Sequence, residues 1–210
     1  MATSCSSRPR TASLASERGF TLIDILAVVA VLGIVSAMAL PMTQSSLSAY
    51  RLRGDAQQVN NLVSLAKMRA ASRFSRSRVY VDRVNNTYQL QIYDRTTATW
   101  VGEGSANRLS TGIRFGFGSL DTAPPNTQNA IGMSPACTTD DGAGTVANTS
   151  CIAFNSRGVP VTIAGTTATP TGNNAFYLTN GDAVFATTVT ATPLVRSWWS
   201  PAGTSAWVRQ

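Results

Sequence analysis

From Phe20 to Met42 the chain runs for twenty-three residues with a single charge, Asp24, and this stretch constrains the molecule more than any other. As a helix rising 1.5 Å per residue it reaches about 30 Å or slightly more, enough for the hydrocarbon core of a bilayer. The polar residues before it include Arg8, Arg10 and Arg18, which keep that end cytoplasmic and place the remainder outside. Beyond Met42 the composition changes to Thr, Ser, Ala, Gly and Asn, with aromatic and β-branched residues recurring throughout. That remainder is long enough for one globular head and too apolar for disorder.

A carboxylate within an apolar run is expensive and needs a reason. An ordinary uncleaved anchor supplies none. A secretory signal peptide is a second reading, because residues 25–35 form an apolar core and Ala37-Met38-Ala39 a small-x-small cleavage site. It leaves Asp24 inside the apolar region. The third reading rests on Arg18-Gly19-Phe20-Thr21-Leu22-Ile23-Asp24-Ile25-Leu26, which closely resembles the N-terminus of type IV prepilins, shared by pilins and type II secretion pseudopilins.

That resemblance implies cleavage between Gly19 and Phe20 by a prepilin peptidase and methylation of the new amino terminus by the same enzyme. It implies a bacterial inner-membrane protein with its head in the periplasm, assembling with other pilin or pseudopilin subunits. The family usually has Glu as the fifth mature residue. Asp24 occupies that place here, keeping the charge on a side chain one methylene shorter. By the resemblance, Asp24 serves assembly by pairing with the amino terminus of a neighbouring subunit. Pro41 stands where many pilins carry a helix-bending proline. The expected organisation is a leader at 1–19, a transmembrane or filament-core helix at 20–42, its amphipathic continuation at 43–77 and a β-rich head at 78–210.

In the continuation, Leu52, Ala56, Val59, Val63, Ala66 and Ala70 recur at spacings of four and three, drawing one apolar stripe that a sheet is expected to cover. Strand signals follow at Val79–Val81 and Tyr88–Tyr93, flanking the turn formers Asn85-Asn86. Further β-like runs are Ile113–Phe117, Cys151–Phe154, Ala175–Leu178, Ala183–Thr190 and Leu194–Trp199, with Asn180-Gly181-Asp182 as a turn. No helix–strand alternation occurs, so the pairing is expected to be antiparallel. Residues 118–150 read as a long polar loop. Asn61 to Ala71 followed by Val79–Val81, and Phe154-Asn155-Ser156-Arg157-Gly158-Val159-Pro160 followed by late strands, resemble the GspH/FimT group of minor pilins and pseudopilins. The fold class is therefore α+β, a long N-terminal helix packed on an antiparallel sheet or sandwich head.

Cys5 falls in the leader, which leaves Cys137 and Cys151 as a pair in an exported head. In an oxidising compartment a disulfide is expected. The chain has no His, so a zinc site lacks ligands and acid–base catalysis lacks its usual residue. No nucleophile elbow or phosphate loop is present, and no enzyme activity, metal or cofactor is implied. Asp140-Asp141-Gly142 lacks the spacing of a calcium loop and reads as a turn.

Eight basic residues lie between Arg51 and Arg83 against Asp55 and Asp82. They read as a solvated face, or as an attraction to lipid headgroups or nucleic acid. The C-terminal end gathers Arg196, Trp198, Trp199 and Arg209. Exposed together, these could stack bases and bind phosphates; otherwise a Trp caps the core. Some FimT-like minor pilins resemble DNA receptors with a Gly-Arg-x-Arg motif near this end, of which Leu194-Val195-Arg196-Ser197 keeps one Arg. The resemblance thus implies a minor subunit of a type IV pilus, acting in filament initiation or at the tip. Its alternatives are a type II secretion pseudopilin and a DNA-binding pilin for uptake.

Overall fold

The computed structural model describes residues 19–165 and 167–210, with the side chains of 38–43 outside the description. The chain divides into two units, residues 1–43 and 44–210, each taken by itself. Helix α1 (Leu22–Ser72) contributes to both.

In the larger unit the helix presents its stripe as its spacing predicts: Leu52, Ala56, Val59, Val63, Ala66 and Ala70 are 0–2% exposed. Each buried Val or Leu contributes about 1.5–3 kcal/mol by leaving water. The helix ends in a Schellman turn, in which Phe74 N–H donates to Ala71 O and Ser75 N–H to Ala70 O. Phe74 takes the left-handed position at φ 49°, where glycine is the usual occupant.

Among the described residues eleven strands follow: β1 (Ser77–Asp82), β2 (Thr87–Asp94), β3 (Thr99–Arg108), β4 (Arg114–Phe115), β5 (Thr149–Phe154), β6 (Pro160–Ala164), β7 (Thr167–Pro170), β8 (Asn174–Thr179), β9 (Ala183–Val189), β10 (Val195–Pro201) and β11 (Val208–Arg209). They form a six-stranded sheet, β3-β2-β1-β5-β6-β7, and a five-stranded one, β11-β10-β9-β8-β4. Every strand pair is antiparallel. The head is thus α+β with antiparallel sheets. The principal core joins the helix stripe to Val79, Val81, Leu90, Ile152 and Phe154 of the first sheet and Phe176, Leu178, Phe185 and Val189 of the second. Ser77 fastens β1 to the helix by donating its hydroxyl to Ala66 O at 2.6 Å.

Three expectations need correction. The strand expected at Ile113–Phe117 contracts to Arg114–Phe115, because Gly112 and Gly116 on either side adopt φ 87° and 148° and leave the extended path. Strand β3, the longest in the head, gave no strand signal: it is an edge strand of mixed small and polar residues, exposed along most of its length. The 118–150 stretch is more than a polar loop. Leu120 is buried, and with Phe117, Ile131 and Met133 it covers Ala175, Tyr177, Val184, Ala186 and Trp198 on the outer face of the second sheet. These anchors are spaced too irregularly to show a period.

Candidate assembly surface

Thr21 and Asp24 form a capping box at the start of α1. Asp24 Oδ2 accepts hydrogen bonds from Thr21 N at 3.1 Å and Thr21 Oγ1 at 2.7 Å, while Asp24 N–H donates back to Thr21 Oγ1 at 3.4 Å. This satisfies backbone donors that a helix start otherwise leaves open, and it sets a negative charge against the positive end of the helix dipole. The Thr-x-x-Asp spacing is the local signal for this cap, and the reading of Asp24 as an assembly residue did not use it.

Behind that turn, Leu22, Ile23, Ile25, Leu26, Val28, Val29, Val31, Leu32, Ile34 and Val35 are 53–77% exposed. Phe20 is 86% exposed, and Gly19 is also open to solvent. Isolated apolar side chains at a surface are ordinary; a helix exposing ten of them between Leu22 and Val35 calls for a cover, which the described residues do not supply. Among the described residues no helix is long and apolar enough to cross a membrane. The apolar run passes after Ala37 into positions whose side chains lie outside the description. Pro41 and the Met38-Ala39 part of the alternative cleavage site fall there, and residues 1–18 of the leader are likewise outside.

In the head, Cys137 and Cys151 are joined in a disulfide across fourteen positions. The bridge ties the covering segment to β5, and Cys137 N–H also donates to Thr149 Oγ1 at 3.0 Å. Of the C-terminal set, Arg196, Trp198 and Arg209 share one face of the second sheet and Trp199 is turned away from them. Trp198 is 8% exposed, packed in the outer core of the second sheet, and its Nε1 donates to Thr188 Oγ1 at 3.0 Å. Trp199, next along β10, points to the opposite face and packs against the principal core. Alternation along a strand separates the two indoles. Arg209 pairs across the strands with Trp198, and Arg196 with Thr188. Stacking by Trp198 is therefore closed off.

The basic run between Arg51 and Arg83 does not form one face either. Lys67 donates to Pro193 O at 3.0 Å, Arg69 pairs with Glu103 at 2.6 Å, and the Arg76 guanidinium lies 4.2 Å from the Tyr93 ring centre. Arg78 is 4% exposed, whereas Arg51, Arg53, Arg73 and Arg83 remain exposed. Two further roles went unseen in the sequence. Asp55 is 4% exposed and accepts from Ser110 N at 2.8 Å and Ser110 Oγ at 3.0 Å, holding the turn after β3 to the helix. Arg78 is the other.

No family model matches the chain, and no curated protein matches it. Among solved structures, the minor pseudopilin EpsH from the type 2 secretion system of Vibrio cholerae aligns at a TM-score of 0.43 and 12% identity, covering 73% of this chain and 99% of that one. That is a distant likeness.

Proposed function

We propose that the chain is a pilin-like subunit, held in the bacterial inner membrane by residues 20–42 before assembly and packed by the same residues into a filament core afterwards. The observation that carries this reading is the capped helix whose apolar side chains are 53–77% exposed from Leu22 to Val35. Lipid first and neighbouring subunits later are covers of the right chemistry, and exchanging one for the other requires no change in the head. In this reading the leader is removed between Gly19 and Phe20 and Asp24 meets the amino terminus of a neighbour. The subunit acts in initiation or at the tip of a type IV pilus, or of the related pseudopilus of type II secretion.

The experiment compares Asp24→Ala, Asp24→Glu and the native chain at equal membrane levels. The expected outcome is that Asp24→Ala is processed and retained in the membrane but missing from sheared filaments, while Asp24→Glu enters them. Equal incorporation of Asp24→Ala removes the pairing. Intact mass of membrane-extracted protein reads the processing directly: a chain beginning at Phe20 with a methylated amine is expected, and one beginning at Leu40 returns the signal-peptide reading.

A further inference from the structure

Arg78 projects from β1 on the face of the first sheet that points away from the helix. It is 4% exposed and makes no direct ion pair: among the described residues the only one is Arg69–Glu103, and Asp140 acts on Arg78 only from beyond 4.0 Å. Its Nε donates to Gln91 Oε1 at 2.8 Å and its Nη1 to Thr138 O at 2.7 Å, and the Trp100 ring centre lies 4.1 Å from the guanidinium carbon. Neutral acceptors and a ring face thus hold a buried full charge. Buried charges are ordinarily met by an opposite one.

Beside it is a cavity of about 160 Å³, lined by Arg78, by Ala153, Val161 and Ile163 of the sheet, by the disulfide-tied segment at Pro135 and Ala136, and by Asn174. Asn174 is also 4% exposed, and its Nδ2 has no acceptor at all. Arg78 and Asn174, one charged and one with an unpartnered donor, therefore line one chamber whose remaining wall is apolar but for Thr138, Thr145 and Thr162. Native interiors seldom leave such a donor unmet without a ligand or water to complete it.

We propose that this cavity binds a carboxylate, with Arg78 and Asn174 as its donors and the apolar wall taking a short aliphatic stem. A guanidinium and an amide N–H suit carboxylate oxygens, and the bond to an ionised acceptor is stronger than those Arg78 makes now. The apolar wall favours an organic anion over a small hydrated one. At about 160 Å³ the chamber is below the size of drug-like sites, so it takes a small acid or the tip of an Asp or Glu side chain and excludes a nucleotide. Burial pushes the guanidinium down to about 10, with Asp140 pulling the other way, the direction an anion in contact reverses. Because Cys151 lines the chamber and the bridge holds its rim, the site depends on the disulfide.

The test is isothermal titration of the full-length chain in detergent micelles with sodium propionate, at constant ionic strength against sodium chloride. A blocked peptide with one central Glu is titrated in parallel. Saturable propionate binding is expected, weakened about tenfold or more in Asn174→Ala and in Ala136→Trp, which plugs the mouth from an exposed position. Arg78→Gln is expected to abolish it. If that variant fails to fold, Ala136→Trp decides alone, because it leaves both donors in place. A peptide that binds more tightly than propionate identifies an acidic side chain of a partner protein as the source, and the reverse order identifies a free acid. No saturation by either ligand, equal binding of chloride, or binding unchanged in Ala136→Trp overturns the proposal and leaves water as the occupant.

Discussion

Val29 and Val63 lie on one helix, the first 60% exposed and the second 0%. Around Val29 every large side chain is apolar and uncovered. Around Val63 apolar residues keep to one stripe, and Asp55, Gln58, Lys67 and Arg69 each find a partner in the head. The same backbone geometry therefore serves two solvents. Where the apolar period is broken by polar residues, the chain supplies its own cover; where it is unbroken, the cover has to come from elsewhere.

The sharpest way to break that comparison is a charge at each position. Val63→Asp places an unpaired carboxylate in the core and is expected to cost more than about 4 kcal/mol. That approaches the whole stability of a domain this size, so the cooperative thermal transition of the head should vanish. Val29→Asp should leave that transition unchanged and instead reduce the membrane-extracted and filament fractions. A head melted by Val29→Asp removes the distinction.

Truncation gives a milder version. Leu52 is 1% exposed and Leu32 59%. Leu52→Ala is expected to lower stability by about 2–5 kcal/mol through lost burial and the cavity left behind, read by chemical denaturation of the full chain. Leu32→Ala should not shift the midpoint.

The two helix carboxylates sharpen the contrast further. Asp55→Ala strips the acceptor from Ser110 N–H and Oγ–H and is expected to cost about 1–3 kcal/mol. Asp24→Ala should leave the head transition where it was, while altering assembly. Smallest is an acid effect at the β1–β2 turn, where Asp82 accepts from Asn85 and Val84 N–H. Those bonds, the Asn85 backbone N–H first, hold its carboxyl below the usual value of 3.8. A lowered folded value means the contribution is present above the ordinary value and lost as pH falls below it. Amide exchange at the turn should rise below about pH 4 in the native chain, and Asp82→Ala should remove that pH dependence.

Much of the head was legible because its signals are local. The stripe from Leu52 to Ala70 follows from spacing alone, and β1, β2, β8, β9 and β10 follow from β-branched and aromatic runs bounded by turns. Strand β3 was not legible, since an edge strand needs no buried face and so carries no alternation. The cover made by Phe117, Leu120, Ile131 and Met133 was not legible either, because what aligns those residues is the sheet they rest on. The capping role of Asp24 has a local signal, Thr21 three residues earlier, that went unread. The gathering of Arg78 and Asn174, ninety-six positions apart, was not.

The sequence by itself determined which residues are apolar at which period, where the chain must turn, and that residues 20–42 need a cover the head does not resemble. It also determined that two cysteines were left to pair. Only the tertiary structure decided which charges meet partners. It placed Trp198 and Trp199 on opposite faces of one strand, took Lys67, Arg69, Arg76 and Arg78 out of a seemingly continuous basic run, and buried Arg78 with no carboxylate in direct contact. The reason is one of range. Periodicity and turn chemistry act over a few neighbouring residues and are written in order along the chain, whereas the burial and pairing of a charge depend on segments that only folding brings together.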